Sequence, residues 1–238
     1  MRITAETTVA QIATDVPAAI RVFQAHQIDF CCGGKIPLSD ACAAHHLDVD
    51  RLLTELDAVQ SPDFPQADWR AESLRSLIGH IQKTFHEPLR VELARLDAMM
   101  NKVVERHGAH LPETLLPLQK TFVELRVELL DHMAKEDRVL FPVIASLESA
   151  ADPDERDRAL RMLSAAVAVM EDDHEHAGDA LAQMRALTDG YAPPEWACPT
   201  FRGLYYGLAE FEADMHVHVH LENHILFPRA IELAGRSV

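Results

Sequence analysis

Residues 216–228 read HVHVHLENHILFP, with four histidines and one glutamate in the nine positions from His216 to His224. A helix advances about 100° per residue, so residues three or four apart share a face. His216, His220 and His224 then form one row. His218 and Glu222 form a second, roughly 200° away. Either row has the i, i+4 spacing of a metal-binding pair on a helix. An earlier stretch of the chain separates them. Residues 132–142 read HMAKEDRVLFP, residues 218–228 read HVHLENHILFP, and both fit H-x-x-x-E-x-x-x-L-F-P. The shared register selects His132 with Glu136 and His218 with Glu222. It leaves the 216/220/224 row as exposed helix surface.

The apolar residues around each copy agree. Phe122, Leu125, Leu129, His132, Glu136 and Val139 recur at three- and four-residue steps, as do Leu208, Phe211, Met215, His218, Glu222 and Ile225. Each His–Glu pair lies on the stripe that faces a core. A buried carboxylate is costly unless paired or bound to a cation, and two facing each other are worse. A metal centre removes both costs. Two further histidines complete the pattern. His174 lies on the stripe Leu163, Val167, Met170, Ala177, Leu181 and Met184. His86 has Leu89 and Leu93 beside it, but also Lys83 and Arg90. His86 precedes His132 by 46 residues and His174 precedes His218 by 44. Two hairpins, each supplying His and then His-x-x-x-Glu, predict a pseudo-twofold site of His86, His132, Glu136, His174, His218 and Glu222.

Around these motifs the chain reads as all-α. Long amphipathic segments run near 71–107, 112–148, 153–189 and 199–235, separated by HGAHLP (107–112), the residues before Pro153, and DGYAPPEWACP (189–199). Long helices with short connections predict an up-down-up-down four-helix bundle. Residues 1–60 read as a small domain of short helices with a turn at DFCCGGK (29–35), where Gly33, Gly34 and Pro37 interrupt the pattern. SPDFPQADW (61–69) carries two prolines and reads as a linker, which puts the bundle at 70–238. Each Pro of the repeated LFP triplets is expected to kink or end its helix.

Composition narrows the partners. At 25% charged and 48% hydrophobic residues the chain suits a globular protein. No apolar run approaches a membrane span, and the N-terminal stretch lacks the pattern of a secretory signal. A net charge of −16 argues against nucleic acid, which wants a basic face. Cys31 and Cys32 are adjacent, and with Cys42 and Cys198 they form no disulfide framework, so a reducing cytoplasmic setting is expected. Cys42 and Cys198 read as buried packing residues. His26, His45, His46, His107 and His110 lack matching partners and read as surface or capping residues.

Imidazole and carboxylate without thiolate point to iron, manganese or zinc, and an all-helical His/Glu site favours iron. Two bridging glutamates would hold two metals roughly 3.5–4 Å apart. An oxo or hydroxo bridge would still leave each a position for O2, NO or peroxide.

With these motifs in view, the bundle resembles the hemerythrin-like family. The whole chain resembles the di-iron proteins that repair iron–sulfur clusters, the repair-of-iron-centres family, in joining DFCCGGK, a linker and the duplicated HxxxExxxLFP. The resemblance implies ligands at His86, His132, Glu136, His174, His218 and Glu222. It implies two non-haem irons and restoration of clusters in damaged iron–sulfur proteins after nitrosative or oxidative stress. Iron donation and NO binding or reduction are the two routes, with a gas sensor or carrier, or a NO or peroxide reductase, as the alternatives. Respiratory hemerythrins use five histidines, and this chain supplies four on matching stripes. By the same analogy each iron takes its two histidines from one hairpin half. The resemblance also implies a possible homodimer and a role for Cys31 and Cys32 in handling iron or NO groups or in docking. Backbone N–H groups at a helix start near Leu38 are expected to favour their thiolates. Glu128, one turn before His132, and Asp173, next to His174, are the expected outer hydrogen-bond partners.

Overall fold

The computed structural model describes residues 3–59, 68–148 and 153–235. Residues 61–67 of the expected linker lie outside them. Side-chain oxygens start several helices, each accepting one of the N–H groups that a helix leaves unpaired at its start. Thr8 caps α1 (Val9–Asp15), Asp48 caps α4 (Val49–Ala58) and Ser73 caps α5 (Leu74–Ile81). Between α1 and α4 lie α2 (Ala19–Ala25) and α3 (Leu38–Ala44). These first four helices close over a core that includes Phe23, Phe30, Leu38, Leu52 and Leu56.

The four long segments follow as α5 and α6 (Glu87–His107), α7 (Pro112–Lys135) and α8 (Phe141–Leu147), α9 (Pro153–Leu187), and α10 (Pro199–Leu221) and α11 (Phe227–Gly235). α6 lies against α7 and α10, and α9 lies against α7 and α11, the ring order of an up-down-up-down bundle. Among the described residues there is no strand beyond an isolated bridge between Thr8 and Pro37. Among the described residues no helix is long and apolar enough to cross a membrane.

Three of the four segments do not stop at their internal prolines. Each instead passes through a π-helical turn: Gln82–His86, Glu136–Leu140 and Glu222–Leu226. Pro88, Pro142 and Pro228 each stand six residues after the first residue of a turn. Proline has no N–H to give and crowds the carbonyl four residues back. The residue before each proline bonds one residue further back than in an α-helix: Glu87 to the Gln82 carbonyl, Phe141 to Glu136, Phe227 to Glu222. The helix thereby absorbs the proline as one extra residue. That residue rotates the remainder of the helix by about 100°. Val139, expected to face inward, is accordingly 59% exposed, and Leu140 takes the core position.

Two apolar clusters fill the bundle. One gathers Leu89, Leu93, Leu96, Phe122, Leu129, Phe211 and Met215. The other gathers Leu77, Ile81, Phe85, Phe141, Met170, Ile225 and Phe227. Along every helix the duplicated-motif residues fall at the boundary between the two, which sets one polar layer inside an apolar bundle.

Candidate metal centre

The six predicted residues converge in that layer. His86, Glu136 and Glu222 are fully buried, and His132, His174 and His218 nearly so. Their donor atoms form two groups, His86–Glu136–His218–Glu222 and His132–Glu136–His174–Glu222, each with all atoms within 4.8 Å of one another. Both glutamates belong to both groups, as bridging carboxylates require. The histidines pair across the hairpins: His86 Nε2 is 3.0 Å from His218 Nε2, and His132 Nε2 is 3.0 Å from His174 Nε2. This corrects the expectation of one hairpin per metal. Neighbouring helices α6 and α10 meet at one position, α7 and α9 at the other.

The far side of each ring decides what the near side can do. His86 Nδ1 donates to Asp137 at 3.0 Å, His132 Nδ1 to Asp173 at 3.2 Å and His174 Nδ1 to the Asn223 side-chain oxygen at 2.8 Å. A neutral imidazole that donates through Nδ1 turns a bare lone pair inward at Nε2. The carboxylates are short of partners too: both Glu136 oxygens and Glu222 Oε2 are buried with no hydrogen bond. Unsatisfied buried carboxylate oxygens are costly, and inward lone pairs around them are the donor set of a cation site. The residues present therefore fit a metal.

Protons compete for the same atoms. Burial lowers the affinity of His132 for a proton, but the charges of Glu136 and Glu222 outweigh it and push its pKa up to about 9. His86 is raised for the same reasons. Burial raises Glu222, yet His218, His174 and His86 hold it well below the usual carboxylate range.

Asp173 stands where expected, and Glu128 does not: it is exposed on α7. Two partners escaped the sequence reading. Asp137 and Asn223 each directly follow a motif glutamate, the same place in both copies of the repeat, and each holds the first histidine of its own hairpin. Arg90 and Gln82 fix Asp137 at 2.6 and 2.9 Å, which explains a charged residue beside His86.

The 216/220/224 row is not free surface. His220 is buried and donates through Nδ1 to the Phe30 carbonyl at 3.2 Å. His224 donates through Nε2 to the Cys31 carbonyl at 2.6 Å. His216 meets the Phe30 ring edge-on. The row faces the N-terminal helices and seats the cysteine turn against the metal-site helix. In that turn Asp29 accepts from the N–H groups of Cys31, Cys32 and Gly33 at 2.8, 3.1 and 2.7 Å. Gly34 is required there, since a Cβ would lie 2.6 Å from the Phe30 carbonyl oxygen. Cys31 Sγ lies 3.7 Å from Cys32 Sγ, and Cys32 Sγ donates to the His174 carbonyl at 3.4 Å.

The expectation of an activated thiolate is overturned for Cys31. Its hydrogen bond to Cys32, its burial and the charge of Asp29 raise its pKa well above the ordinary thiol value. The turn's N–H groups are already spent on Asp29, and α3 starts six residues beyond Cys32. A cavity of about 570 Å³ opens beside the two cysteines, lined also by Asp29, Glu171, Glu175 and Asn223. A second, of about 420 Å³, is lined by Phe85, Leu89, Phe211, Met215 and His218.

The remaining singled-out residues have local roles. Cys42 is buried in the N-terminal core, whereas Cys198 is half-buried, 3.4 Å from His107 Nε2. His26 pairs with Glu55 at 2.7 Å, His45 ends α3, and His107 and His110 lie near Trp196.

Comparison with known proteins matches this arrangement. Residues 77–230 match the hemerythrin HHE cation binding domain, and residues 5–60 match a domain of unknown function (DUF542). The iron-sulfur cluster repair protein ScdA of Staphylococcus haemolyticus is 36% identical over 94% of this chain and 98% of its own length. The iron-sulfur cluster repair protein YtfE of Edwardsiella ictaluri is 39% identical over 93% and 95%, and that of Yersinia pseudotuberculosis 38% over 92% and 94%. With a cation-binding helical domain and similarity of this extent along nearly all its length, the chain belongs to the hemerythrin-domain family of iron–sulfur cluster repair proteins.

Proposed function

We propose that this chain repairs iron–sulfur clusters damaged by nitrosative or oxidative stress, in the cytoplasm, by supplying iron from a non-haem di-iron centre. His86, His132, Glu136, His174, His218 and Glu222 would hold the two irons. Residues 1–60 act as a cysteine-bearing module and residues 70–238 as the metal-holding bundle, joined by 61–69. The observation that carries the reading is the sharing of two buried, under-bonded glutamates by two four-residue donor groups. When bound, the irons supply Lewis acidity and redox equivalents, with room for a small ligand such as NO, O2 or peroxide.

The chain's own groups do the rest. Asp137, Asp173 and Asn223 fix three imidazole tautomers and keep the donor atoms inward. The apolar clusters on either side keep bulk water from the layer. Cys31 and Cys32, seated on the metal-site helix, meet the damaged protein or hold iron and NO groups in passage.

The test is label transfer. Protein loaded with 57Fe is incubated without oxygen with a NO-damaged [4Fe–4S] dehydratase. Recovery of dehydratase activity with 57Fe in its rebuilt cluster is expected. Cys31→Ser/Cys32→Ser, still fully loaded, should transfer several-fold more slowly. Recovery with no label in the client would remove iron supply from the reading. A second reading, reversible binding or reduction of NO or O2, draws on the apolar cavity that reaches His218. It requires a ligand-induced optical change indifferent to the cysteines, with repeated turnover on added reductant if the site is enzymatic.

A further inference from the structure

The two donor groups have the same composition but not the same support. At the His132/His174 position both far nitrogens have acceptors, Asp173 and Asn223. At the His86/His218 position one does. His218 Nδ1 is buried with no hydrogen-bond partner. The repeat explains why. Asp173 precedes His174 and serves His132. The corresponding residue of the first hairpin, preceding His86, is Phe85. Its ring lies parallel to that of His218, with centroids 5.3 Å apart and 6° between planes. A phenyl ring offers no acceptor, so the imidazole that Phe85 covers lacks the bond that orients a ligand and raises its basicity. The acceptor that His86 does have is compromised. Arg90 lies 2.6 Å from Asp137 and neutralises it, whereas the cation nearest Asp173, Lys135, is 3.9 Å away.

Access differs in the same direction. The 420 Å³ cavity is walled by His218 itself, with Glu92, Glu210 and Asp214 among its lining. The cavity beside the cysteines reaches Asn223 but no ligand. The His86/His218 position thus borders a cavity through one of its own imidazoles, whereas the cavity beside the cysteines stops at Asn223, the outer partner of His174.

We infer that the two metal positions are unequal, and that the His86/His218 position, under Phe85, is the exchangeable one from which an ion leaves first. This rests on the two-metal reading above and assigns the donated ion to one side of the centre. Phe85 and Asp173 act as positioning residues, each through the histidine it covers or bonds.

The experiment uses the full chain stripped of metal and titrated with Co(II) in competition with a chromophoric chelator. Two dissociation constants are expected, separated by roughly 10–100-fold, the size of a lost outer hydrogen bond. His218→Ala should abolish the weaker step and His132→Ala the tighter one. Asp173→Ala, at a half-buried surface position, should weaken the tighter step by a similar factor and bring the two together. Phe85→Asp, if it folds, should strengthen the weaker. Two equal constants in the unaltered chain, or a loss confined to the weaker step in Asp173→Ala, would overturn the inference while leaving a two-metal centre. Binding of fewer than two Co(II), insensitive to these histidines, would overturn the two-metal reading itself. No step depends on repair activity.

Discussion

The helix through residues 216–228 carries two rows of polar side chains that do different work. His218 and Glu222 turn into the bundle and share one polar layer with residues from three other segments. His216, His220 and His224 turn out of it, yet they are covered as well, because the N-terminal helices dock there. The inward row has bare donor atoms facing one another. In the outward row His220 and His224 donate to backbone carbonyls, and His216 rests on the Phe30 ring. The same residue type on one helix is thus a metal donor where lone pairs are left over, and a clasp where they are spent.

Breaking the inward row should have the largest effects. Glu222→Ala removes an oxygen donor from both positions, so metal content should fall from near two ions per chain towards none, read by elemental analysis. His218→Ala should leave about one. A Glu222→Ala protein that keeps both ions would put the centre elsewhere.

Metal removal should expose a pH dependence confined to the inward row. In the metal-free chain His132 is pushed up to about 9 and His86 is raised, so both bind protons more tightly folded than unfolded. Their contribution is fully present below the ordinary histidine pKa of about 6.5 and is lost as pH rises through the folded values. The denaturation midpoint of chelator-treated protein should therefore decline between about pH 6.5 and 9. Metal-loaded protein, whose imidazoles carry no exchangeable proton at Nε2, should show a flatter profile.

Effects on the outward row should be smaller and should leave the metal alone. His224→Ala removes the donor to the Cys31 carbonyl, at a cost of about 1 kcal/mol for a lost hydrogen bond. Alkylation of Cys31 and Cys32 should quicken several-fold at unchanged metal content. A drop in metal content would mean that the rows are coupled through the π turn at Glu222–Leu226. His216→Ala removes little more than an edge contact with Phe30, and should shift the denaturation midpoint least of the set.

The six converging residues were legible in the sequence because a metal layer demands the same residue at the same helical phase in both halves of a repeat. Asp137 and Asn223 were legible in principle, each one place after a motif glutamate. They were passed over because unlike residues hide a shared role. Glu128 was a false lead: one turn before a ligand is the right phase only if the helix is oriented to bring the side chain inward, and here it faces solvent.

What the sequence by itself determined was the set of helices, their inward stripes and the donors on them, since 3.6-residue periodicity and duplication are local properties. Tertiary structure decided the rest. Whether His86 meets His132 or His218 depends on which helices are neighbours. The π turns before Pro88, Pro142 and Pro228 re-phase the stripes, and so turn Val139 out and Leu140 in. The fate of His216, His220 and His224 was decided by where a separate set of helices came to rest. A helix face has no intrinsic label of solvent or interface until something is packed against it.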